Sequence, residues 1–161
     1  MSASIWETYK IVDASRGPIT TNGAITCDYV SLKNVHKAWI VVSLTQGVGH
    51  ATGIDPTQAT TVAGGSVKAI TANCIIRANE DTATSDTLAA QTAGITYNVA
   101  GDVLKKQVIF EIRPEELDTN GGFDCLGCTL DASSQASNFA SVLYILQERY
   151  PQAIPPAAIT D

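Results

Sequence analysis

Four cysteines are the side chains of this 161-residue sequence that could most readily do chemistry. Cys125 and Cys128 form a Cys-Leu-Gly-Cys motif, whereas Cys27 and Cys74 stand alone. A redox pair with this spacing normally lies at the start of a helix, where the helix dipole lowers the thiol pKa, but this pair lies in a run typical of a strand. A zinc site would need a second closely spaced pair of ligands. We therefore interpret the cysteines as small buried hydrophobic residues.

Other residues that could bind a metal ion are too isolated to form a site. His36 and His50 have no second ligand two or four positions away. Asp118 opens a segment similar to a calcium-binding loop, but that pattern requires glycine where Phe123 stands and glutamate where Thr129 stands. The sequence therefore predicts no metal site.

Glycine-rich and acidic segments do not supply a catalytic site either. The glycines within residues 47–53 have the wrong spacing for a dinucleotide fingerprint, and residues 63–68 lack the Gly-Lys-Ser/Thr ending of a phosphate loop. There is no Gly-x-Ser-x-Gly nucleophile motif. Four carboxylates cluster near one turn, where they suit capping or solvation better than acid and base catalysis: Glu111, Glu115, Glu116 and Asp118. The sequence predicts no enzyme and no cofactor.

The composition is that of one acidic domain with few charges. The net charge is −6, and 16% of the residues are charged, against roughly 25% in an average soluble domain. Nucleic acid is not expected as a partner, because binding it requires clustered Lys and Arg. The first ten residues lack a secretory signal pattern, and no apolar run approaches the roughly 20 residues that span a bilayer. We therefore expect a cytoplasm-like compartment, free thiols and no membrane partner.

Alternation of apolar and polar residues predicts about eight strands. In residues 37–46, Ala38 and Ile40 face one way and Trp39 and Val41 the other. Because both faces are partly apolar, this strand is either central in a sandwich or partly covered by a neighbouring chain. The other predicted strands are residues 25–32, 57–62, 67–76, 95–99, 107–113, 123–130 and 139–147. We predict an all-β, single-domain antiparallel β-sandwich, jelly-roll-like in arrangement.

Turn-forming residues separate these strands. Residues 47–56 and 77–94 are predicted loops, and Gly64-Gly65 is a predicted hairpin turn. Pro114 is expected to end one strand, after which Asn120-Gly121-Gly122 lets the chain reverse tightly into the next.

Both ends of the chain are predicted to lie on another surface. Residues 1–23 are expected to form an arm, with an edge strand of the chain's own domain as the equal alternative. Residues 24–150 then form the sandwich, and residues 151–161, with three prolines, form an extended tail that lies on a neighbouring chain or, equally well, folds back on its own domain. The predicted protein-interface residues are Ile5, Trp6, Tyr9, Ile11, Trp39, Ile154, Pro155, Pro156 and Ile159.

Four blocks together resemble a group of small structural proteins of tailed-phage virions, the capsid decoration or cement proteins. The blocks are residues 37–47, residues 56–70, FEIRPEELDTNGGFDCL at 110–126 and VLYILQERY at 142–150. The resemblance covers most of residues 29–150 and is most specific in residues 115–123 and 149–150. The N-terminal arm and the proline-rich tail do not share it.

The resemblance implies a β-sandwich on the exterior of an icosahedral head, made in the host cytoplasm, that stabilises the shell by bridging major capsid protein subunits. Lattice-bridging proteins often form trimers, so a trimer is favoured over a dimer or a monomer. One alternative is another phage component, such as a tail-tube, head-completion or fibre-base protein. A third reading is a carbohydrate-binding module, which would need Tyr29, Trp39, Tyr97 and Tyr144 to form an exposed stacking platform.

Overall fold

The computed structural model describes residues 4–150, 154 and 156–160, and nearly all of its regular structure is β. One short helix, α1, spans Ile5–Thr8, and single 3-10 turns span Pro114–Glu116 and Thr119–Gly121. The strands are β1 (Tyr9–Asp13), β2 (Ile19–Thr20), β3 (Ile25–Thr26), β4 (Val30–Ser31), β5 (Val35–Gln46), β6 (Thr52–Ala59), β7 (Lys68–Ala69), β8 (Ile75–Asn79), β9 (Ala89–Ala90), β10 (Tyr97–Val99), β11 (Lys105–Ile112), β12 (Cys125–Leu130) and β13 (Asn138–Glu148).

These strands form two antiparallel sheets that pack face to face. The larger sheet has the order β1-β13-β5-β11-β8-β9, and β2 also pairs with β13. The smaller sheet has the order β10-β6-β12-β3, with β4 beside β12 and β7 beside β6. Within the described residues five strands are only two residues long, which leaves eight longer ones. The predicted all-β antiparallel sandwich is confirmed.

The core lies between the sheets and is built by strict alternation along the strands. The inward residues are apolar and almost completely buried, and burying each large aliphatic or Phe side chain contributes about 1.5–3 kcal/mol. The larger sheet supplies Ala38, Ile40, Val42, Leu44, Val108, Phe110, Ile112, Ala140, Val142, Tyr144 and Leu146. The smaller sheet supplies Ile54, Leu126, Cys128 and Leu130. The alternation predicted for residues 37–46 is therefore confirmed, and the face that carries Ala38 and Ile40 is the one that points into the core.

The predicted reversal at Asn120-Gly121-Gly122 exists, but the strands on either side of it do not pair. β11 lies between β5 and β8 in the larger sheet, so both of its edges are already occupied, and β12 joins the smaller sheet. The Asp118 carboxylate accepts a 3.0 Å hydrogen bond from Gly121 N, and Gly122 adopts φ +82°. The turn residues thus carry the chain from one sheet to the other.

The prediction of a loop through residues 47–56 is wrong at its end, because β6 begins at Thr52. The sequence indicated a loop up to Pro56 because proline has no N–H to donate to a ladder. The Pro56 carbonyl accepts a 3.3 Å hydrogen bond from Ile70 N. This bond lies on the edge of β6 that pairs with the short strands β10 and β7, opposite the edge that pairs with β12. Because the missing N–H faces that interrupted side, the pairing of β6 with β12 is unaffected.

Two predicted strands are split in the structure. Residues 67–76 divide into β7, in the smaller sheet, and β8, in the larger one, because the chain crosses between the sheets there. Ile70, Cys74 and Ile76 in this crossing segment are buried. Residues 25–32 divide into β3 and β4, which both lie along β12. The predicted loop 77–94 contains the end of β8 and the short strand β9.

The N-terminal segment joins the larger sheet along β13, so the arm prediction is corrected for residues 9–20. β1 pairs with β13 from Tyr9 opposite Gln147 to Asp13 opposite Leu143, and β2 pairs with the other end of β13. Val12 packs against the core and Ala14 is buried. This is the edge strand that the sequence left as the alternative.

A buried ion pair closes one end of the sandwich. The Lys106 side chain is fully buried, and its Nζ lies 3.0 Å from Glu80 Oε2 and also donates to the Ala100 carbonyl. The other Glu80 oxygen accepts a 2.8 Å bond from the Tyr97 hydroxyl, which belongs to the smaller sheet. Burial, and then the hydrogen bond to Glu80 and its charge, raise the pKa of Tyr97 to about 12. Glu80 therefore ties the two sheets together.

Removing the carboxylate should destabilise the protein more than removing the ammonium. Glu80→Ala leaves the fully buried Lys106 ammonium without its partner. We expect this change to lower the free energy of unfolding by about 3 kcal/mol. Lys106→Met replaces the cation with an apolar chain of similar length and leaves Glu80, whose side chain is 33% exposed, within reach of water. Urea unfolding of both variants and of the exposed control Asp86→Ala measures the difference. A larger loss in Lys106→Met would contradict this account.

Gly127 provides a second local test, because the Tyr29 ring lies directly over it. A Cβ at residue 127 would lie 2.6 Å from Tyr29 Cδ1 and closer still to Cε1, well inside contact distance. We expect Gly127→Ala to cost about 1–3 kcal/mol by overpacking. In a Tyr29→Ala background the same change should cost under about 0.5 kcal/mol, because the clash is gone. Chemical denaturation of the four proteins of this double-mutant cycle measures both costs. Equal costs of Gly127→Ala in the two backgrounds would refute the overlap with the Tyr29 ring.

Candidate protein-interaction site

Exposed apolar residues are concentrated at the two ends of the chain. α1 begins with the Ser4 backbone N–H donating to the Glu7 carboxylate at 2.7 Å, and it leads directly into β1. On this short helix Ile5 is 54% exposed and Trp6 is 66% exposed. α1 buries no residue, so its apolar side chains do not serve the core.

The C-terminal segment returns to the same edge of the sandwich. Ala158 is buried, and its carbonyl accepts a 2.7 Å bond from Ser31 N. A cleft of about 500 Å³ lies where Ala157–Ile159 runs beside β1, lined by Lys10, Ile11, Val12, Asp13, Ala157, Ala158 and Ile159. Glu148 lines a smaller pocket beneath Pro156 and Ala157, and burial raises its pKa. The two ends thus share one side of the molecule.

The predicted interface residues occupy several environments. Ile5, Trp6, Ile11, Ile154, Pro156 and Ile159 are exposed, and Pro155 lies outside the described residues. Tyr9 and Trp39 are half-buried and contact each other, with ring centroids 6.3 Å apart at 46°. The structure therefore places Ile11 and Ile159 together at the β1 edge and places Trp39 on the outer face of the larger sheet.

That outer face is more apolar than the strand patterns alone indicate. Beside Trp39 it presents Val41 from β5, Ile109 from β11 and Ile75 from β8, and β13 adds Leu143 and Ile145. The signal was present in residues 37–46 and 139–147, whose two faces are both apolar. The apolar outer face could not be recognised from this pattern without knowing that the two strands are neighbours.

An ion pair crosses this face beside Trp39. Lys37 Nζ lies 2.7 Å from Glu111 Oε1, and Trp39 Nε1 donates to Glu111 Oε2 at 3.2 Å. The hydrogen bond from Lys37 is the largest cause that lowers the pKa of Glu111, and burial acts in the opposite direction. The ammonium also lies 5.7 Å from the centroid of the Trp39 ring. The Glu111 carboxylate thus orients the indole.

The carboxylates near the crossing turn serve structural roles, as the sequence predicted. Glu116 accepts a 2.9 Å bond from Arg113 N and so caps the turn that Pro114 begins. Asp118 forms a 2.5 Å salt bridge with Lys68, whose hydrogen bond lowers the pKa of the carboxyl group. These contacts give Glu116 and Asp118 roles in the turn.

The structure brings two of the cysteines together in the core, where Cys27 N donates a 2.9 Å bond to the Cys128 carbonyl, and the hydrogen bond from the Cys27 thiol and burial raise the pKa of Cys128. Cys125 and Cys128 lie on opposite faces of β12, one beside Tyr29 and one in the main core. Burial, with a smaller effect from the charge of Glu116, raises the pKa of Cys74 to about 12, so this thiol is not poised as a nucleophile. Across residues 4–150, 154 and 156–160, no group of three His, Cys, Asp or Glu side chains could hold a metal ion.

The aromatic platform required for sugar stacking is not assembled. Tyr144 is completely buried in the main core, and burial raises the pKa of its hydroxyl group. Tyr29 lies on the opposite face of the smaller sheet, only 7% exposed. Tyr97 is tied to Glu80, far along the fold from Trp39. The four rings therefore cannot bind one ligand together.

Comparisons with known proteins give only distant matches. No protein-family model matches the chain. A search of curated proteins gives no match either. No helix in the described residues is long and apolar enough to span a membrane.

Among solved structures, the chain is similar to the SPBc2 prophage-derived protein YomS, with 9% sequence identity and a TM-score of 0.46. The match covers 86% of this chain and 91% of YomS. A CBM4 structure matches 89% of this chain over 71% of its own, with 13% identity and a TM-score of 0.31. A chain of a human norovirus GI.7 Houston strain VLP has 14% identity and a TM-score of 0.33, and the match spans only 34% of that chain. All three TM-scores lie below 0.5, so these likenesses carry no information about what the chain binds.

The Lys37–Glu111 pair gives the protein a pH-dependent component of stability. The pKa of Glu111 is lower in the folded protein than in the unfolded chain. Glu111 therefore contributes to the free energy of unfolding above the ordinary glutamate pKa of about 4.3, and this contribution is lost as the pH falls through the pKa of the folded state. We expect the stability difference between wild type and Glu111→Gln to be up to about 1 kcal/mol at pH 7 and to shrink below about pH 4.3. Urea unfolding across this range measures it. The exposed control Glu115→Gln should show no such trend, and a difference for Glu111→Gln that grows in acid would contradict the assignment.

Proposed function

We propose that this chain is a virion structural protein that decorates the outside of a tailed-phage capsid and stabilises it by bridging major capsid protein subunits. The observation that carries the proposal is the exposed apolar surface at the chain ends. Ile5 and Trp6 stand out from α1, while Ile154 is 87% and Ile159 is 59% exposed. Apolar residues of this size, concentrated outside a complete core, are typical of protein-binding surfaces.

Charge supports an exterior position rather than one beside packaged DNA. The chain carries a net charge of −6, which opposes contact with a polyanion. The low proportion of charged residues, 16%, suits extensive protein contact. Residue blocks that resemble capsid decoration proteins, most specifically residues 115–123, support the same assignment.

Stabilisation of a shell requires only selective binding. A protein that binds the expanded lattice in preference to other states shifts the equilibrium toward that lattice by mass action. Contacts from both the N-terminal and the C-terminal segment would allow one sandwich to reach two neighbouring subunits. No covalent chemistry is involved, in keeping with the structural roles of the cysteines and carboxylates.

Trp6→Ala should weaken attachment to capsids without affecting the fold. Loss of an aromatic anchor often costs roughly 2 kcal/mol, which corresponds to about 30-fold weaker binding. Co-sedimentation of purified protein with capsids that lack it measures this change. Val103→Ala is the matched control, because Val103 is 60% exposed but lies in the loop between β10 and β11. Equal binding by wild type and Trp6→Ala would contradict the role of this end.

Virions assembled without the protein separate decoration from the alternative phage components. We expect heads that lose their DNA under osmotic shock or chelation while their tails remain intact. Stable heads with missing tails would instead identify a tail-tube, head-completion or fibre-base protein.

A further inference from the structure

The outer face of the larger sheet carries an apolar band that the fold itself does not use. The band consists of two neighbouring rows of side chains, and each row crosses five paired strands from β1 to β8. The first row is Ile11, Ile145, Trp39, Glu111 and Ile75. The second row is Asp13, Leu143, Val41, Ile109 and Arg77. Seven of these ten residues are apolar.

These apolar residues point away from the core. Ile11 is 45% exposed and Ile75 is 48% exposed, at the two ends of the first row. The residues between them are half-buried, and none belongs to either buried core cluster. A depression of about 180 Å³ over Trp39 and Ile109 is lined by side chains of this face. An open apolar sheet face of this kind indicates an interaction surface.

The two ends of the second row carry opposite charges. Asp13 and Arg77 are both exposed, and neither has a salt bridge among the described residues. Four strand spacings separate them, about 19 Å, so they cannot pair within one chain. Across the sheet the row therefore runs from a negative end through three aliphatic residues to a positive end.

We propose that the band binds a second copy of this chain, face to face, about a two-fold axis parallel to β5. Rotation about that axis exchanges the two ends of each row, so Asp13 of each copy lies opposite Arg77 of the other. Leu143 then faces Ile109, and Val41 faces its own copy at the axis. The interface is isologous, with two identical ion pairs flanking an apolar centre.

The charge pattern selects this orientation over others. A two-fold axis perpendicular to the strands would place Asp13 against Asp13 and Arg77 against Arg77, and such like-charge contacts are unfavourable. A three-fold axis requires two different complementary patches on each copy, whereas this face complements itself. The band therefore favours a dimer in place of the trimer that the family resemblance implies.

The size of the face indicates a small interface between the two copies. It extends about 19 Å from β1 to β8 and about 26 Å along β5 from Lys37 to Thr45. The resulting footprint of about 500 Å² is smaller than the roughly 800 Å² per partner of a standard stable complex. We therefore expect dissociation in roughly the micromolar range, measurable over an ordinary concentration series.

Sedimentation velocity of the isolated protein tests the proposal through charge reversal. Wild type should show a monomer–dimer equilibrium. Asp13→Arg and Arg77→Asp should each weaken it at least about tenfold, because each turns two attractions into two repulsions. The double reversal D13R/R77D exchanges the two charges and should restore association to within about threefold of wild type. Asp102→Arg, the same charge change on an exposed loop, should have no comparable effect.

A second variant tests the centre of the interface. Val41→Lys places two ammonium groups at the axis and should abolish the dimer while leaving cooperative thermal unfolding intact, because this side chain points away from the core. A monomer at every concentration up to millimolar would overturn the proposal, as would a trimer. Single reversals without effect, or a double reversal that stays monomeric, would overturn it equally. None of these results depends on capsids, so the proposed function stands or falls separately.

Discussion

The pairing of β5 with β13 on one side and β11 on the other is the interaction on which the rest of the structure depends. These three strands supply most of the inward side chains of the larger sheet, including Ile40, Val142 and Phe110. Because side chains alternate along a strand, a slip of one residue would expose all of them to water. The register of this trio therefore also decides which residues face outward, and so it creates the apolar band and the place of Trp39.

Occupied strand edges explain the course of the connecting segments. With β11 held between β5 and β8, the chain after Pro114 has to leave for the smaller sheet, where β12 becomes the central partner of β6. The free edge of β13 accepts the N-terminal segment, and the C-terminal segment then lies beside β1. The position of both ends on one side of the molecule is thus a consequence of sheet order.

The sequence predicted the sheet class, the three long strands and the burial of the cysteines, because each depends on local alternation along a strand. It did not predict that β6 contains Pro56, since tolerance of that residue depends on which side of β6 lacks a continuous partner. It could not distinguish an arm from β1, because both have the same alternating pattern. The outer band was also missed, since its rows join residues from five separate segments.

The brevity of the outermost strands has a consequence for behaviour at high concentration. The larger sheet ends in β1 and β2 on one side and β9 on the other, and the smaller sheet ends in strands of two or three residues. A fibril grows when a long exposed backbone ladder captures another chain, and here no described sheet border is longer than five residues. Short borders of this kind disfavour edge-to-edge pairing between molecules, although only 16% of the residues are charged to keep neighbours apart.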